Sequence, residues 1–509
     1  MRKRKSRVIE KMGKHVIIIG SGLGGLTSGY ILAKNGYRVT ILEKNAQFGG
    51  CLQTFRRGGV NFETGMHYIG SMEEGQALHN FFNYLSLLPD VKINSLDKTA
   101  YDVISIAGER FPFANGKENF IESLSRFFPD ERKNLEKYCH TISDVANNSP
   151  LYSLRSPDSV TLLNPEYIKK SASGFIESVT ENELLRNVLA GNLPLYAGLK
   201  EKTPLYIHAL INDFYNKSAY RIEGGSGSIA KSLVKSIRAM GGEVKALSQV
   251  TTINCDDEKA QSVTLNTGET ISADYILSNI HPLRTVEMLD TRLIRKSYKQ
   301  RITSLNNTVS NFTVYIQFKK DSVPYMNSNL FHYNGTSVWN CENYTEKTWP
   351  LNFLYMHLCS ESEQKYADGA ILIAYMNFAD VEKWKGTQIE NRGNDYEEFK
   401  RLKAEKLLDE LEKQMPETRQ NIEKYYTSTP LTYLDYTGTE DGSMYGILRD
   451  CSEPIQSVVS QRTKIPNLFQ VGQNINSHGI LGVIIGSIIT SGELLGVNTI
   501  IEQIKSLSK

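Results

Sequence analysis

The stretch that most constrains the fold lies near the start of the chain, where four aliphatic residues, 16–19, run into the glycine-rich turn 20–25. An amphipathic segment follows, and then a second apolar strand pattern that ends at the acidic residue Glu43. Strand, glycine turn, helix, strand and acid in this order are typical of a βαβ unit that binds a dinucleotide. The chain is therefore predicted to contain a Rossmann-like α/β domain.

Three glycines of the turn have separate physical tasks in such a unit. Gly20 lets the chain leave the strand sharply, Gly22 lets the backbone approach a pyrophosphate, and Gly25 lets the helix pack closely on the strand. The phosphates then lie at the helix N-terminus, where unpaired N–H groups and the helix dipole favour negative charge. Glu43, about 20 residues after the turn, is placed to accept hydrogen bonds from a ribose.

Two further glycine motifs indicate which dinucleotide binds. Five residues separate Glu43 from the pair Gly49-Gly50, and this extension resembles the two-dinucleotide-binding class of FAD enzymes. A glycine pair is also ordinary loop punctuation. A second turn, at Gly472, precedes another helical pattern near the end of the chain. We expect that turn to meet the ribityl, pyrophosphate or pyrimidine part of the flavin.

Composition limits the classes of protein to which the chain can belong. Its 509 residues are enough for two or more lobes with sizeable cores. A net charge of +2 at pH 7 disfavours a nucleic-acid-binding protein. Six cysteines occur without a CxxC pair, which favours reduced thiols over disulfides or a metal site. We therefore predict a cytoplasmic protein with neither a metal nor a nucleic-acid partner.

Two segments bear on contact with membranes. Residues 2–14 are rich in lysine and arginine, which predicts a solvated tail or, alternatively, contact with anionic lipid headgroups. Only four strongly apolar residues follow, too few for the apolar part of a signal peptide. Residues 471–492 are uncharged, yet their apolar part is about half of the roughly 20 residues that a membrane span needs. We predict no signal peptide and no transmembrane helix. Peripheral association with a membrane is kept as an alternative.

The patterns along the chain predict interleaved rather than consecutive lobes. Residues 1–75, 217–284 and 455–509 are assigned to a discontinuous dinucleotide-binding domain, because a glycine-rich loop, a helix and a small hairpin return the chain to the first sheet. Helical periodicity predominates in residues 76–216, the predicted helical substrate or membrane-facing region. Residues 285–454 contain period-two strands and an amphipathic helix, which indicates a sheet-based substrate domain.

Six runs of sequence are 20–25 with Glu43 and Gly49-Gly50, 62–70, 224–227, 276–282, 436–446 and 472–492. Together they resemble the family of FAD proteins that includes phytoene desaturases, carotenoid isomerases and retinol saturases. The runs around residues 65–70, 436–446 and 472–474 are most similar to the all-trans-retinol 13,14-reductase-like branch of that family. The resemblance extends from residue 15 to residue 493. It implies a Rossmann-like FAD domain of the two-dinucleotide-binding class, interleaved with an α+β substrate domain and a helical subregion.

The resemblance also implies which residues hold FAD and which move protons. His67 and Tyr68 are the first candidates for proton transfer, because the resemblance places their loop near the flavin, and His478 in the second turn is another. Each is also a common packing residue, and Glu63 is expected to fix backbone near the cofactor. The positions implied for FAD binding are Gly20, Gly22, Leu23, Gly24, Gly25, Glu43, Lys44, Gly49, Gly50, Val250, Gly472, Gln473, Gly482 and Val483.

The chemistry implied is flavin-dependent oxidation or reduction of a carbon–carbon bond in a long, apolar conjugated polyene or lipid, similar to a retinoid or carotenoid. In a saturase, reduced FAD adds hydride to one carbon of a double bond, and a protein acid or water protonates its neighbour. Desaturation and cis–trans isomerisation are alternatives. No second nucleotide fingerprint is evident, so an external electron donor or reductase is expected as a partner.

Two interpretations from other classes stay open. A flavin amine oxidase shares the FAD lobe and would release hydrogen peroxide on oxidising an amine, although the aromatic pair expected at its flavin is not identifiable. A non-catalytic prenyl-binding escort protein shares the architecture, although it has little reason to retain both glycine turns together with Glu43. The sequence favours saturation of a polyene double bond.

Overall fold

The computed structural model describes residues 13–155, 165–289 and 291–507. The predicted basic leader, apart from its last two residues, lies outside the described residues. Among the described helices, none combines the length and the hydropathy that crossing a lipid bilayer requires.

A five-stranded parallel sheet is the base of the dinucleotide-binding lobe. The predicted strands on either side of the glycine turn, His15–Ile19 and Arg38–Leu42, pair in parallel and are buried at every position except Arg38. Burial of both faces explains why their aliphatic residues run continuously rather than alternately. Across the sheet the strands are Glu243–Lys245, Arg38–Leu42, His15–Ile19, Tyr275–Ser278 and Leu468–Gln470.

The two faces of the parallel sheet have different covers. Helices Leu23–Lys34, Gly227–Ala239 and Gly479–Leu495 share one hydrophobic core with Val16 and Ile18. Residues of the opposite face, such as Ile17 and Ile19, pack on a small antiparallel sheet. Its strands are Val250–Cys255, Ala260–Leu265 and Thr270–Ser272.

A mixed sheet of seven strands forms the second large layer. Its strand Ser310–Phe318 is buried at all nine positions. Phe312 and its period-two neighbours pack in the same core as helix Asn394–Gln414, whereas Asn311 faces the opposite side. In order the strands are Ile422–Ser428, Ser310–Phe318, Gly369–Met376, Asn352–His357, Asn329–Tyr333, Asp102–Ile106 and Glu109–Phe113.

The predicted helical region 76–216 contributes strands as well as helices. Asp102–Ile106 and Glu109–Phe113 extend the seven-stranded sheet, and the first of them pairs in parallel with Asn329–Tyr333. Pairing across more than 200 residues leaves no signature in local periodicity, because a short strand takes its stability from distant neighbours. The division of the chain into three lobes stays a prediction.

The remaining elements surround these sheets. In the region 76–216 the helices are Ala77–Tyr84, Lys117–Ser125, Arg132–Asn147, Pro165–Lys169, Ala172–Glu177, Glu183–Leu189 and Leu205–Lys217. Later helices are Pro282–Glu287, Lys296–Thr303, Pro430–Thr437, Pro454–Ser457 and Val497–Leu507. The short strands are Thr54–Arg57 with Val60–Glu63, and Ile69–Gly70 and Ile93–Ser95 on either side of Ala219–Ile222.

Candidate functional site

A cavity of about 510 Å³ lies between the carboxyl ends of the parallel strands and the inner face of the seven-stranded sheet. The parallel strands contribute Gly20, Glu43, Asn279 and Gly472, each of which follows a strand directly or within two residues. This edge is where open parallel sheets bind their ligands. The cavity is therefore the candidate site for both the dinucleotide and the substrate.

The two predicted glycine turns meet at the floor of this cavity. A Cβ atom on Gly24 would lie 2.5 Å from Oδ1 of Asn279 and 3.0 Å from Cα of Gly472. A Cβ atom on Gly50 would lie 3.1 Å from Cα of Gly22, which shows that the glycine pair packs on the first turn. The approach of three backbone segments without side chains forms a cradle that suits a pyrophosphate.

Two helix N-termini open on the same cavity. Helices Leu23–Lys34 and Gly479–Leu495 both begin among its lining residues, and neither has an acidic residue in its first turn or a side chain that caps its N-terminus. The first N–H groups of a helix have no partner within the helix, and its dipole favours an anion there. The residues present therefore fit the two phosphates of FAD.

Glu43 links the first turn to the glycine pair. Its Oε2 accepts hydrogen bonds from the backbone N–H of Ser21 at 3.0 Å and from the Ser21 hydroxyl at 2.6 Å. Its Oε1 accepts from the backbone N–H of Asn45 at 2.9 Å, and Ser21 Oγ accepts from Gly49 N–H at 3.2 Å. A carboxylate has about four acceptor positions. Glu43 therefore retains capacity for the predicted ribose contact.

Most of the predicted FAD-binding residues lie together at the cavity, and two do not. Gly25 packs against the first turn instead, where a Cβ atom would lie 2.2 Å from the carbonyl oxygen of Gly20. Gly482 lines a smaller neighbouring cavity of about 90 Å³. The residues that do line the main cavity are Gly20, Gly22, Leu23, Gly24, Glu43, Lys44, Gly49, Gly50, Val250, Gly472, Gln473 and Val483.

Two of the three predicted proton-transfer residues line the main cavity. Nδ1 of His67 lies 3.6 Å from Oε2 of Glu63, just beyond hydrogen-bond distance. The Tyr68 hydroxyl donates to Oδ2 of Asp102 at 3.0 Å. Glu63 fixes backbone, as expected, because its Oε1 accepts the N–H of Ser226 at 3.1 Å. The roles of His67 and Tyr68 in the reaction stay predictions.

Asp102 accepts the hydrogen bond of Tyr68, and its place at the site was not predicted from the sequence. It is fully buried, and burial raises the pKa of its carboxyl to about 7, against smaller lowering effects of Asn329, Tyr68 and Arg221. Asn329 Nδ2 donates to Oδ1 of Asp102 at 2.7 Å. Asp102 can therefore hold or release a proton near neutral pH.

His478, the third predicted proton-transfer residue, is not among the residues that line the main cavity. It lines the smaller cavity, where its ring centroid lies 4.6 Å from that of Tyr445. Burial, with the guanidinium of Arg449, lowers the pKa of His478 to about 3. The imidazole is therefore neutral at physiological pH. The imidazolium ion, the form that would donate a proton, is not populated there.

Residues far apart in sequence form the other end of the cavity. Of the described lining residues, Glu43 alone carries a carboxylate, and it belongs to the dinucleotide end. Sequence reasoning could have found Asn279, because it ends a parallel strand. No comparable position at the end of a parallel strand marks the residues of the wall opposite the glycine turns. It includes Leu195, Tyr215, Leu354, Ile373, Tyr375, Tyr433, Met444 and Tyr445.

Comparison with known proteins gives three findings of sequence. A model of the family described as flavin containing amine oxidoreductase matches residues 23–492. The all-trans-retinol 13,14-reductase of Rattus norvegicus is 27% identical over 538 residues, which cover 97% of this chain and 87% of that protein. The 4,4'-diaponeurosporene oxygenase of Staphylococcus aureus (strain USA300) is 23% identical over 493 residues, covering 92% of this chain and 95% of that protein.

A solved structure extends the likeness to the fold. Wild-type putrescine oxidase bound to putrescine superimposes with a TM-score of 0.62 at 15% sequence identity. The superposition covers 94% of this chain and 98% of that one. At this level of identity the likeness concerns the fold alone, and it confirms the predicted α/β fold class.

Proposed function

The chain belongs to the flavin containing amine oxidoreductase family, and on that premise we propose that it reduces a carbon–carbon double bond of a long, apolar conjugated polyene. The predictions of FAD as the cofactor and of a flavin-dependent oxidoreductase are confirmed by the family and the relatives. The choice of substrate and the direction of the reaction are the proposal.

The observation that carries the proposal is the chemistry of the cavity wall opposite the glycine turns. That wall is made of aliphatic and aromatic side chains such as Leu354, Ile373 and Tyr375. A cationic amine that enters such a space needs a buried acceptor of opposite charge, because burial of an unpaired charge is costly. Glu43, the one carboxylate among the described lining residues, is bound to Ser21 and Asn45 at the other end. An uncharged apolar substrate is therefore favoured over an amine.

The relatives support the same substrate class. The names of the two relatives refer to retinol and to 4,4'-diaponeurosporene, and the matches extend over nearly the whole chain. A non-catalytic escort gains no support from the site, which brings both glycine turns and Glu43 to one cavity. We propose a retinoid-like or carotenoid-like substrate, with saturation as the main reaction and desaturation or isomerisation as alternatives.

The residues of the chain divide the work between binding and proton transfer. FAD, when bound, supplies hydride chemistry at its flavin ring. The two helix N-termini would hold its pyrophosphate, and the apolar wall would exclude water from the polyene. Saturation also needs a proton on the neighbouring carbon, for which His67 and Tyr68 are the candidates in the cavity lining. After Tyr68 has lost a proton, protonated Asp102 can donate one to the phenolate oxygen across the same 3.0 Å contact, with the direction of the hydrogen bond reversed.

We also infer two partners from the chemistry. The sequence carries no second nucleotide fingerprint, so an external reductase or reduced carrier is proposed as the electron donor. A long polyene partitions into lipid, so a membrane surface is proposed as its source.

An anaerobic single-turnover experiment tests the proposal. The purified holoprotein is reduced, all-trans-retinol or another conjugated polyene is added, and flavin reoxidation is followed together with polyene absorbance. Saturation predicts stoichiometric reoxidation with loss of one conjugated double bond. A polyene that changes geometry while the flavin stays reduced indicates isomerisation. Reoxidation by no polyene, together with release of hydrogen peroxide when an amine is added to the oxidised holoprotein in air, would replace the proposal with an amine oxidase.

Variants of the two proton-transfer candidates then assign the proton. Replacement of the group that donates it, by Tyr68→Phe or by His67→Gln, should slow reoxidation by about 10²-fold or more, the usual contribution of general acid catalysis. The other variant should change the rate much less. If both variants react at the wild-type rate, the proton comes from water.

A further inference from the structure

Two residues in the apolar wall of the cavity have polar atoms that nothing in the fold accounts for. Tyr375 is 5% exposed and Asn352 is 3% exposed, and both line the cavity. The hydroxyl of Tyr375 and Oδ1 of Asn352 are fully buried, and neither has a hydrogen-bond partner within the described part of the chain. An unpaired polar atom in a protein interior is rare, because its hydration is lost without replacement.

The two groups are neighbours on one face of the seven-stranded sheet. Strand Asn352–His357 pairs antiparallel with strand Gly369–Met376, with Leu354 opposite Ile373. Asn352 lies two residues before Leu354, and Tyr375 lies two residues after Ile373. Side chains of a strand alternate between faces, so Asn352 and Tyr375 lie side by side on the face that lines the cavity.

Other polar groups around this wall are paired within the protein. The hydroxyl of Tyr333, which lies opposite Asn352 on the next strand, donates to the carbonyl oxygen of Gly191 at 2.7 Å. The hydroxyl of Tyr445 donates to the carbonyl oxygen of Pro194 at 2.9 Å. The fold therefore satisfies hydroxyl groups in this region where a partner is within reach. Three described atoms of the cavity lining lack a partner: those of Tyr375 and Asn352 occur side by side in this wall, and the third, Nδ1 of His67, lies 3.6 Å from Oε2 of Glu63.

We propose that Tyr375 and Asn352 bind a neutral oxygen, a hydroxyl or a carbonyl, at one end of an otherwise apolar substrate. This inference rests on the proposed function and narrows it from polyenes in general to polyenes with an oxygen-bearing end group. A hydroxyl accepts a hydrogen bond from Tyr375 and donates one to Oδ1 of Asn352. A carbonyl oxygen accepts from Tyr375 and from the Asn352 amide after that amide rotates.

The charge state of the pair agrees with a neutral ligand. Burial raises the pKa of Tyr375 well above its ordinary value, so the phenol keeps its proton and remains a donor. The Asn352 amide does not ionise. Of the described cations that line the cavity, Lys44 donates to the carbonyl oxygen of Asp435 and Arg284 pairs with Glu440. A carboxylate would need such a cation beside it, whereas an alcohol or an aldehyde needs none.

Binding to the oxidised holoprotein tests the inference without turnover. The probes are all-trans-retinol, all-trans-retinal and the hydrocarbon with the same skeleton but no oxygen, each titrated against the flavin absorbance. Wild-type protein should bind the alcohol or the aldehyde about tenfold more tightly than the hydrocarbon, the equivalent of one net hydrogen bond. In Tyr375→Phe that preference should fall to about twofold or less, with the affinity for the hydrocarbon unchanged.

Tyr333→Phe is the matched control on the neighbouring strand. It removes a hydroxyl that is bonded within the protein, so it should lower the melting temperature of the ligand-free protein and keep the preference for oxygen. Tyr375→Phe should leave that melting temperature unchanged or raise it, because no described hydrogen bond is lost. Asn352→Leu makes the same test if Tyr375→Phe does not fold.

Several results would overturn the inference. Equal affinity of wild-type protein for all three probes is one, and an undiminished preference in both Tyr375→Phe and Asn352→Leu is another. A melting temperature that falls in Tyr375→Phe as far as in Tyr333→Phe would show that the Tyr375 hydroxyl has an internal partner. An oxygen preference in a protein whose reduced flavin reacts with no polyene would refute the proposed function and leave this binding site standing.

Discussion

Replacement of Gly24 by alanine should push apart the two glycine turns that hold FAD. The new Cβ atom would lie 2.5 Å from Oδ1 of Asn279 and 3.0 Å from Cα of Gly472. Ordinary van der Waals contact begins at about 3.4 Å, so these neighbours would have to retreat by about 0.9 Å and 0.4 Å. Because Gly472 contributes backbone, it has no rotamer through which to withdraw.

The magnitude follows from two opposed terms. Overpacking of a close-packed interior costs about 1–3 kcal/mol, and exchange of glycine for alanine in a helix returns about 1 kcal/mol at most. If the turns move apart, the steric contact is relieved, but the turns no longer form a close cradle for the pyrophosphate. We therefore expect the dissociation constant of FAD to rise about threefold to thirtyfold, or ~0.7–2 kcal/mol.

The assay is a titration of apoprotein with FAD, followed by quenching of flavin fluorescence. Gly29→Ala is the matched control, because it makes the same exchange in the same helix, Leu23–Lys34. Its Cβ atom would lie 2.7 Å from Cδ1 of Ile41, the end of a flexible side chain that can withdraw. We expect its FAD affinity to stay within about twofold of wild type.

Two results would refute this reasoning. Wild-type FAD affinity in Gly24→Ala would show that the turns tolerate the added methyl group and do not form a close cradle. An equal loss in Gly24→Ala and Gly29→Ala would show that the helix as a whole, rather than the contact between the turns, determines the affinity.

Three further predictions concern Asn279, Asp102 and His478. Asn279→Ala removes the side chain between the turns and should weaken FAD binding about tenfold in the same titration; unchanged affinity would remove Asn279 from the site. The folded pKa of Asp102 lies above its unfolded value of about 3.9, so its contribution to stability is complete below about pH 4 and is lost as pH rises towards about 7. Urea unfolding should show that decline in wild type and not in Asp102→Asn, and equal slopes would contradict the raised pKa. His478→Phe should leave the pH profile of flavin reoxidation unchanged, because His478, with its pKa lowered to about 3, is neutral throughout the working range; a shifted profile would restore it as a proton donor.

The dinucleotide-binding half of the site can be predicted from local motifs in the sequence. Gly20, Gly22 and Gly24, which are predicted to bind FAD, line the main cavity, and Glu43 lies at the end of its strand beside them. These features are readable because the turn, the helix and the strand are contiguous, and because only glycine allows the close backbone approach. A spacing of a few residues along the chain therefore becomes a fixed distance in space.

The motifs did not predict which of their residues would lie at the main cavity. His478 belongs to the second turn, yet it packs on Tyr445 beside the smaller cavity. Gly482, which is predicted to bind FAD, lines that smaller cavity as well. The rotation of a helix about its axis is set by the elements packed against it, and that information lies elsewhere in the chain.

The substrate half of the site could not be predicted from the sequence, because it depends on how distant strands pair. Asp102 reaches Tyr68 because its strand pairs with Asn329–Tyr333, more than 200 residues further on. Tyr375 and Asn352 become neighbours through the pairing of two strands whose connection has no fixed length. Side chains on different strands meet through backbone hydrogen bonds that any sequence can make. The identity of these residues therefore does not reveal which of them will be in contact. Only the folded sheet brings their side chains together.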